Sequence, residues 1–176
     1  MKLATPLVTE GLTLRTLDAG HAGGPYLAWM NDPEIMAYTE SRFAAHDRAS
    51  LAAFIAAMND SPANLLLGLF SRDDDAHIGN IKLGPVEAGH QRAWIGIVIG
   101  DRDRWGQGLA GQAIDAVANH GLENLGLRRV LAGIYADNQG SLKAFLKAGF
   151  REIARLPGHS RSGQDWVDDI IMARGA

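Results

Sequence analysis

Apolar and polar positions alternate in "LTLRTL", residues 12–17, where Leu12, Leu14 and Thr16 share one face. That is the period of a half-buried strand. "NDPEIMAY" then predicts a helix, with Asp32 as capping acceptor and Pro33 in the first turn, where a missing amide costs nothing. Between 46 and 60, Leu51, Phe54, Ile55 and Met58 fall at i, i+3, i+4 and i+7, which makes one face of a helix apolar. "NLLLGLFS", "AHIGNIKLG" and "RAWIGIVIG" are apolar runs separated by polar, turn-forming "RDDDA" and "PVEAGHQ". Strands joined this closely must be antiparallel, because a parallel pair needs a long crossover. Ala113, Ile114, Val117, Ala118, Leu122 and Leu125 trace a helical face ending near Gly126. "RRVLAGIYA" reads as a strand, and "NQGSLKAFLKAG" as a helix with Asn138 at its start and Gly149 where a helix stop favours positive φ. "FREIARL" and "WVDDIIMA" close the sheet as two last strands.

Composition adjusts this picture only at its edges. A chain of 176 residues with 47% hydrophobic content suits a single domain over 1–176, since it can bury one core and is short for two. The absence of cysteine excludes disulfides, thiolate metal sites and a cysteine nucleophile, and fits a reducing, cytoplasmic setting. No stretch approaches the roughly 20 apolar residues of a membrane span, so a soluble, unexported protein without a membrane partner is expected. A formal charge of −3 argues against a nucleic-acid partner, and the six histidines lack metal-ligand spacing, so no metal is expected.

Gly106, Gly108 and Gly111 in "RWGQGLAGQ" match GxGxxG, the fingerprint of a dinucleotide-binding turn. Such glycines opening a helix serve any pyrophosphate, because they let the backbone approach and aim free amides at the anion. Asp137 ends the next strand as an NAD site requires, yet only about 40 residues follow it and an antiparallel meander precedes the glycines. The order of elements therefore disfavours NAD.

That order resembles the GNAT family of acetyl-CoA-dependent N-acetyltransferases over almost the whole chain. The family's acyl-CoA loop reads Arg or Gln, two residues, Gly, one residue, then Gly or Ala. Trp105, Gly106, Gln107, Gly108, Leu109 and Ala110 fill those places, with Trp as in the subgroup of ribosomal-protein and amino-sugar acetyltransferases. A second signature is matched by Asn138, Ser141, Phe145 and Gly149-Phe150. "YLAWMNDPEIMAYTESRF" and "HIGNIKLGP" are similar to segments of acetyltransferases acting on nucleotide-linked amino sugars, such as those of the pseudaminic-acid pathway.

The resemblance implies an α/β fold with a central, mostly antiparallel mixed sheet of six to seven strands, about four flanking helices, and a splay at the acyl-CoA site. It implies acetyl-CoA as cosubstrate, held by backbone amides from Gln107 to Ala110, with Arg102 and Arg104 near enough to add charge. It also implies that Ile97, Val98 and Ile99 lend their backbone to the pantetheine arm, with an amide near Ile97 or Val98 facing the thioester oxygen. Many relatives have Glu where Trp94 stands and Tyr where Phe145 stands, and neither Trp nor Phe exchanges protons. Glu40 and His77 are the candidate bases, Ser141 and Tyr135 the candidate proton donors, and a water relay is the alternative. The acceptor implied is a small-molecule amine in a ternary complex, with Trp29, Tyr38 and Arg42 pointing to a pocket; a protein N-terminus is the rival. A noncatalytic acyl-CoA-binding module and a homodimer are both left open.

Overall fold

The computed structural model describes residues 1–176. Its strands are β1 (Leu7–Val8), β2 (Leu12–Thr16), β3 (Leu65–Ser71), β4 (His77–Glu87), β5 (Arg92–Ile99), β6 (Arg129–Tyr135), β7 (Arg151–Ser162) and β8 (Asp165–Gly175). Its α-helices are α1 (Gly24–Met30), α2 (Arg48–Asp60), α3 (Leu109–Asn119) and α4 (Gln139–Lys147). One eight-stranded sheet runs in the order β1-β2-β3-β4-β5-β6-β8-β7, one strand larger than the expected maximum because the two-residue β1 adds an edge. Every pairing is antiparallel except β5 with β6.

The strand predictions hold, and the first of the central runs is buried on both faces: every residue of β3 is buried. The helix expected over "NDPEIMAY" does not form. Asp32 does accept hydrogen bonds from the amides of Glu34 and Ile35, but residues 32–39 are a run of turns followed by a short 3-10 segment, Glu40–Phe43. Capping chemistry starts a turn, and without an apolar repeat behind it nothing extends that turn into a helix. The helix lies one segment earlier, as α1, with Pro25 in its first turn and Tyr26 and Trp29 buried.

α2 begins at a reciprocal cap in which Asp47 accepts the Ser50 amide and Ser50 accepts the Asp47 amide, and it buries Leu51 and Ile55. α4 is capped by Asn138, whose Oδ1 accepts the Ser141 amide at 3.1 Å, and Gly149 follows at φ +80. The core divides between the two faces of the sheet. α3 and Phe145 of α4 pack with Ile95, Val130 and Ile134 on one face; α1 and α2 pack with Leu66 and Phe70 on the other. None of these helices is long and apolar enough to cross a membrane.

Candidate active site

The site begins where the sheet fails to close. β5 and β6 pair only at Arg92–Arg129, Ala93–Val130 and Trp94–Leu131, and beyond these three rungs the strands diverge. On the other side of β5 the ladder with β4 continues to Ile99. Gly100 donates its amide to the Ile78 carbonyl at 2.9 Å, which fixes the alternation of that ladder. Val98 and Gly96 therefore spend their backbone groups on β4, whereas Ile97 and Ile99 turn theirs toward the gap. The Ile99 carbonyl is taken by the Trp105 indole N–H at 2.8 Å. The Ile97 amide faces the gap, so of the two residues singled out in the sequence it is Ile97, and not Val98, that offers a donor there.

The glycine loop stands at the mouth of this gap. Gly106 and Gly108 adopt φ +76 and +80, a conformation that L side chains resist, and a Cβ at either would meet nothing within 4 Å. Gly108 is the N-cap of α3 and supplies no side chain to its free amides, which leaves the helix start open to an anion. Leu109 turns inward to the core, and Ala110 lies in the first turn. Gln107 bonds the Asp103 carbonyl. The two arginines are engaged elsewhere: Arg104 bonds Asp74 at 2.6 Å, and Arg102 bonds Asp32 at 2.7 Å and Glu34 at 2.9 Å. The charge available to a phosphate is thus chiefly that of the helix start.

On the sheet face shared with α1 and α2, the structure brings two of the candidates into contact. The Tyr135 hydroxyl, at the end of β6, donates to Glu40 Oε1 at 2.6 Å. Arg42 donates to the same hydroxyl at 3.3 Å and bonds the carbonyls of Ala37 and Arg161, tying residues 37–42 to the β7–β8 hairpin across the phenol. Burial, and then the Glu40 carboxylate, raise the Tyr135 pKa, so the phenol keeps its proton at neutral pH. A cleft of about 400 Å³ opens beside it, lined by Tyr38, Arg42, Phe43 and Arg161. Tyr38 packs edge-on against Tyr135, with centroids 6.0 Å apart.

The remaining candidates separate. Ser141 lies in the first turn of α4, partly open. Phe145, on the same helix, is 2% exposed and packs edge-on against Phe150, so it belongs to the core. His77 sits in an aromatic nest, stacked on Phe70 with centroids 4.8 Å apart and 5.1 Å from Trp29. Its Nε2 lies 3.0 Å from the Gly79 carbonyl and 3.0 Å from Asn80 Oδ1. Both are acceptors, so Nε2 carries the proton. Burial lowers the His77 pKa, and the neutral ring is the folded form. The unfolded chain, with an ordinary histidine pKa of about 6.5, then binds the extra proton first. Stability contributed by His77 is complete above that value and is lost as pH falls from it toward the lower folded pKa. Melting curves at descending pH should show a steeper loss for the wild type than for His77→Gln. His120, lowered in the same direction by burial, acts equally in both proteins. Parallel pH profiles would remove His77 from this account.

The profile of the Acetyltransferase (GNAT) domain family matches residues 11–151. The chain belongs to the GNAT family. A relative in Bacillus subtilis, the uncharacterized N-acetyltransferase YoaA, is 29% identical over 147 residues, 83% of this chain and 82% of its own. Among solved structures, a spermidine N-acetyltransferase from Vibrio cholerae in complex with CoA and spermine superimposes with TM-score 0.83 at 20% identity, covering 94% of this chain and 96% of its own. The Microcin C7 self immunity acetyltransferase MccE, in complex with acetyl-CoA and AMP, does so with TM-score 0.80 at 17% identity, covering 96% and 94%. This GNAT protein is accordingly an acetyl-CoA-dependent N-acetyltransferase, with acetyl-CoA as its cosubstrate.

Two features of the site were missed from sequence. The carboxylates that occupy Arg102 and Arg104 come from distant loops, and no local pattern pairs them. The second is no more than a neighbour of the site: Asp169 lies opposite Tyr135 in the β6–β8 register. Its signal was present: in "WVDDIIMA" one aspartate falls in phase with Val167 and Ile171.

Proposed function

We propose that this GNAT enzyme acetylates a primary amine on a small molecule that also carries an anionic, aromatic portion, a nucleotide-linked amino sugar being the class that fits best. The cleft beside Tyr135 carries this reading, because it is lined by two aromatic residues, Tyr38 and Phe43, and two arginines, Arg42 and Arg161, of which Arg42 is already tied to Tyr135 and to backbone carbonyls. Aromatic faces take a base, and guanidinium groups match phosphate oxygens in pairs. MccE, solved with acetyl-CoA and AMP together, supports the reading as a case within the same fold.

The coenzyme's pyrophosphate lies over the amides from Gln107 to Ala110, and its acetyl group enters the gap between β5 and β6. There the Ile97 amide donates to the thioester oxygen and stabilises the oxyanion as the amine nitrogen attacks the carbonyl carbon. An alkylamine has a pKa near 10, so it arrives as an ammonium and must lose a proton. Glu40 receives it, since one carboxylate oxygen is spent on Tyr135 and the other is not. The carbon–sulfur bond then breaks as the nitrogen gives up its second proton to the Ser141 oxygen and the Ser141 hydroxyl proton passes to the departing thiolate, directly or through water, so that Ser141 ends the step as a hydroxyl. Tyr135, held by Glu40, orients that carboxylate.

Release of free thiol from acetyl-CoA, followed with UDP-glucosamine, glucosamine and a peptide with a free N-terminus, tests the acceptor class. UDP-glucosamine should exceed glucosamine by about tenfold or more in kcat/KM, as one good charge-assisted contact supplies. Preference for the peptide would transfer the protein to N-terminal acetylation, and equal rates with the two sugars would remove the nucleotide from the reading.

A further inference from the structure

Ala136 donates its amide to the Asp168 carbonyl at 2.9 Å, so that pair is hydrogen-bonded in the β6–β8 ladder. Tyr135 and Asp169 form the next pair, one without ladder bonds, in which the Cα atoms approach to about 4.5 Å and both side chains stand on one face. It is the face from which Glu40 reaches the phenol. Two rungs back, on the same face, Gly133 opposes Ile171, and a Cβ on Gly133 would lie 3.8 Å from Ile171 and 3.9 Å from the Trp94 ring. Leu156 of β7 flanks Asp169 on the other side. A carboxylate thus stands in an otherwise apolar row, directly opposite the Tyr135 phenol.

Its Oδ1 is shut off from solvent and has no hydrogen-bond partner. A buried acceptor left unpaired lowers stability, whereas an apolar side chain of similar size in the same place carries no such cost. The residue as a whole is only partly buried, and it shares its face of the sheet with Tyr135.

We propose that Asp169 binds the acceptor's ammonium group at the foot of Tyr135, next to the splayed strands, and thereby selects cationic amines over neutral nucleophiles such as alcohols. The inference rests on the acceptor lying on the Tyr135 face, as proposed above. Asp169 holds the ammonium until Glu40 takes its proton; Asp169 itself gains no proton in the step.

Asp169→Asn keeps the shape and removes the charge. Its KM for whichever of glucosamine, UDP-glucosamine or spermidine reacts fastest should rise about tenfold or more, with kcat and the acetyl-CoA KM within about threefold, as loss of one charged hydrogen bond predicts. Asp169→Leu should melt at or above the wild-type temperature, because it removes an orphaned acceptor; a structural carboxylate would do the reverse. An unmoved amine KM in Asp169→Asn, or a melting temperature several degrees lower in Asp169→Leu, would overturn the proposal. If UDP-glucosamine fails while glucosamine or spermidine reacts, the nucleotide reading falls and Asp169 is judged on the amine that reacts. If neither these three nor the peptide with a free N-terminus reacts, a site built for cationic amines is refuted; if the peptide alone reacts, Asp169 is judged on its KM.

Discussion

Gly108→Glu abolishes acetyl-CoA binding in a protein that still folds. Gly108 holds φ +80 at the N-cap of α3, with open space where a Cβ would project. Any other residue there bears the strain of the left-handed region, about 1 kcal/mol, but a carboxylate at a helix start returns up to about 1 kcal/mol through the dipole. The fold therefore survives. The same carboxylate lies where the coenzyme's pyrophosphate must sit, and like charges brought together cost several kcal/mol, so affinity should fall by about 100-fold or more. Calorimetric titration checks this, with Gly108→Asn as the uncharged control that tolerates positive φ and should bind within about tenfold of wild type. Unchanged affinity in Gly108→Glu would mean that these glycines only turn the chain.

Glu40→Gln should lower kcat by about 100-fold, the low end of what a positioned base contributes, while leaving the acetyl-CoA KM where it was. Glutamine still accepts the Tyr135 hydroxyl through its amide oxygen, so the contact seen at 2.6 Å survives and only proton affinity is lost. Ser141→Ala should also reduce turnover without changing coenzyme affinity, because protonation of a leaving thiolate occurs only in the transition state. Steady-state rates of both variants against one confirmed acceptor separate the two roles. Activity within about threefold of wild type in Glu40→Gln would assign the amine's proton to water.

The parts of the fold legible in the sequence were those written in short-range pattern. The alternation in "LTLRTL", the i, i+3, i+4, i+7 stripe through Leu51 and Met58, and the caps at Asn138 and Gly149 all became the elements expected of them. The failure at "NDPEIMAY" came from reading a cap as a helix, when the apolar residues needed to anchor one, Tyr26 and Trp29, lay upstream. At the site, the glycine loop was legible because its chemistry is local. Glu40 and Tyr135, 95 residues apart, were picked separately, and only folding shows them joined by a hydrogen bond. Phe145 illustrates the opposite: it fills a motif position where many relatives carry Tyr, but its ring is turned to Phe150. A motif fixes where a Cα lies, and packing decides where the side chain goes.

The three-rung junction between β5 and β6 divides the hydrogen-bonded ladder into two plates, β1 to β5 and β6-β8-β7, sewn along a short seam and backed by one core under α3 and α4. Backbone amides beyond the seam, such as that of Ile97, lack the partner that would slow their exchange with deuterated solvent. A coenzyme arm lying in the gap supplies that partner and lengthens the seam from within. Acetyl-CoA should thus stiffen the hinge between the plates as it binds, and the thiol product, having lost its acyl anchor, should leave it slacker. The enzyme's tightest grip on its own sheet then coincides with the moment of transfer.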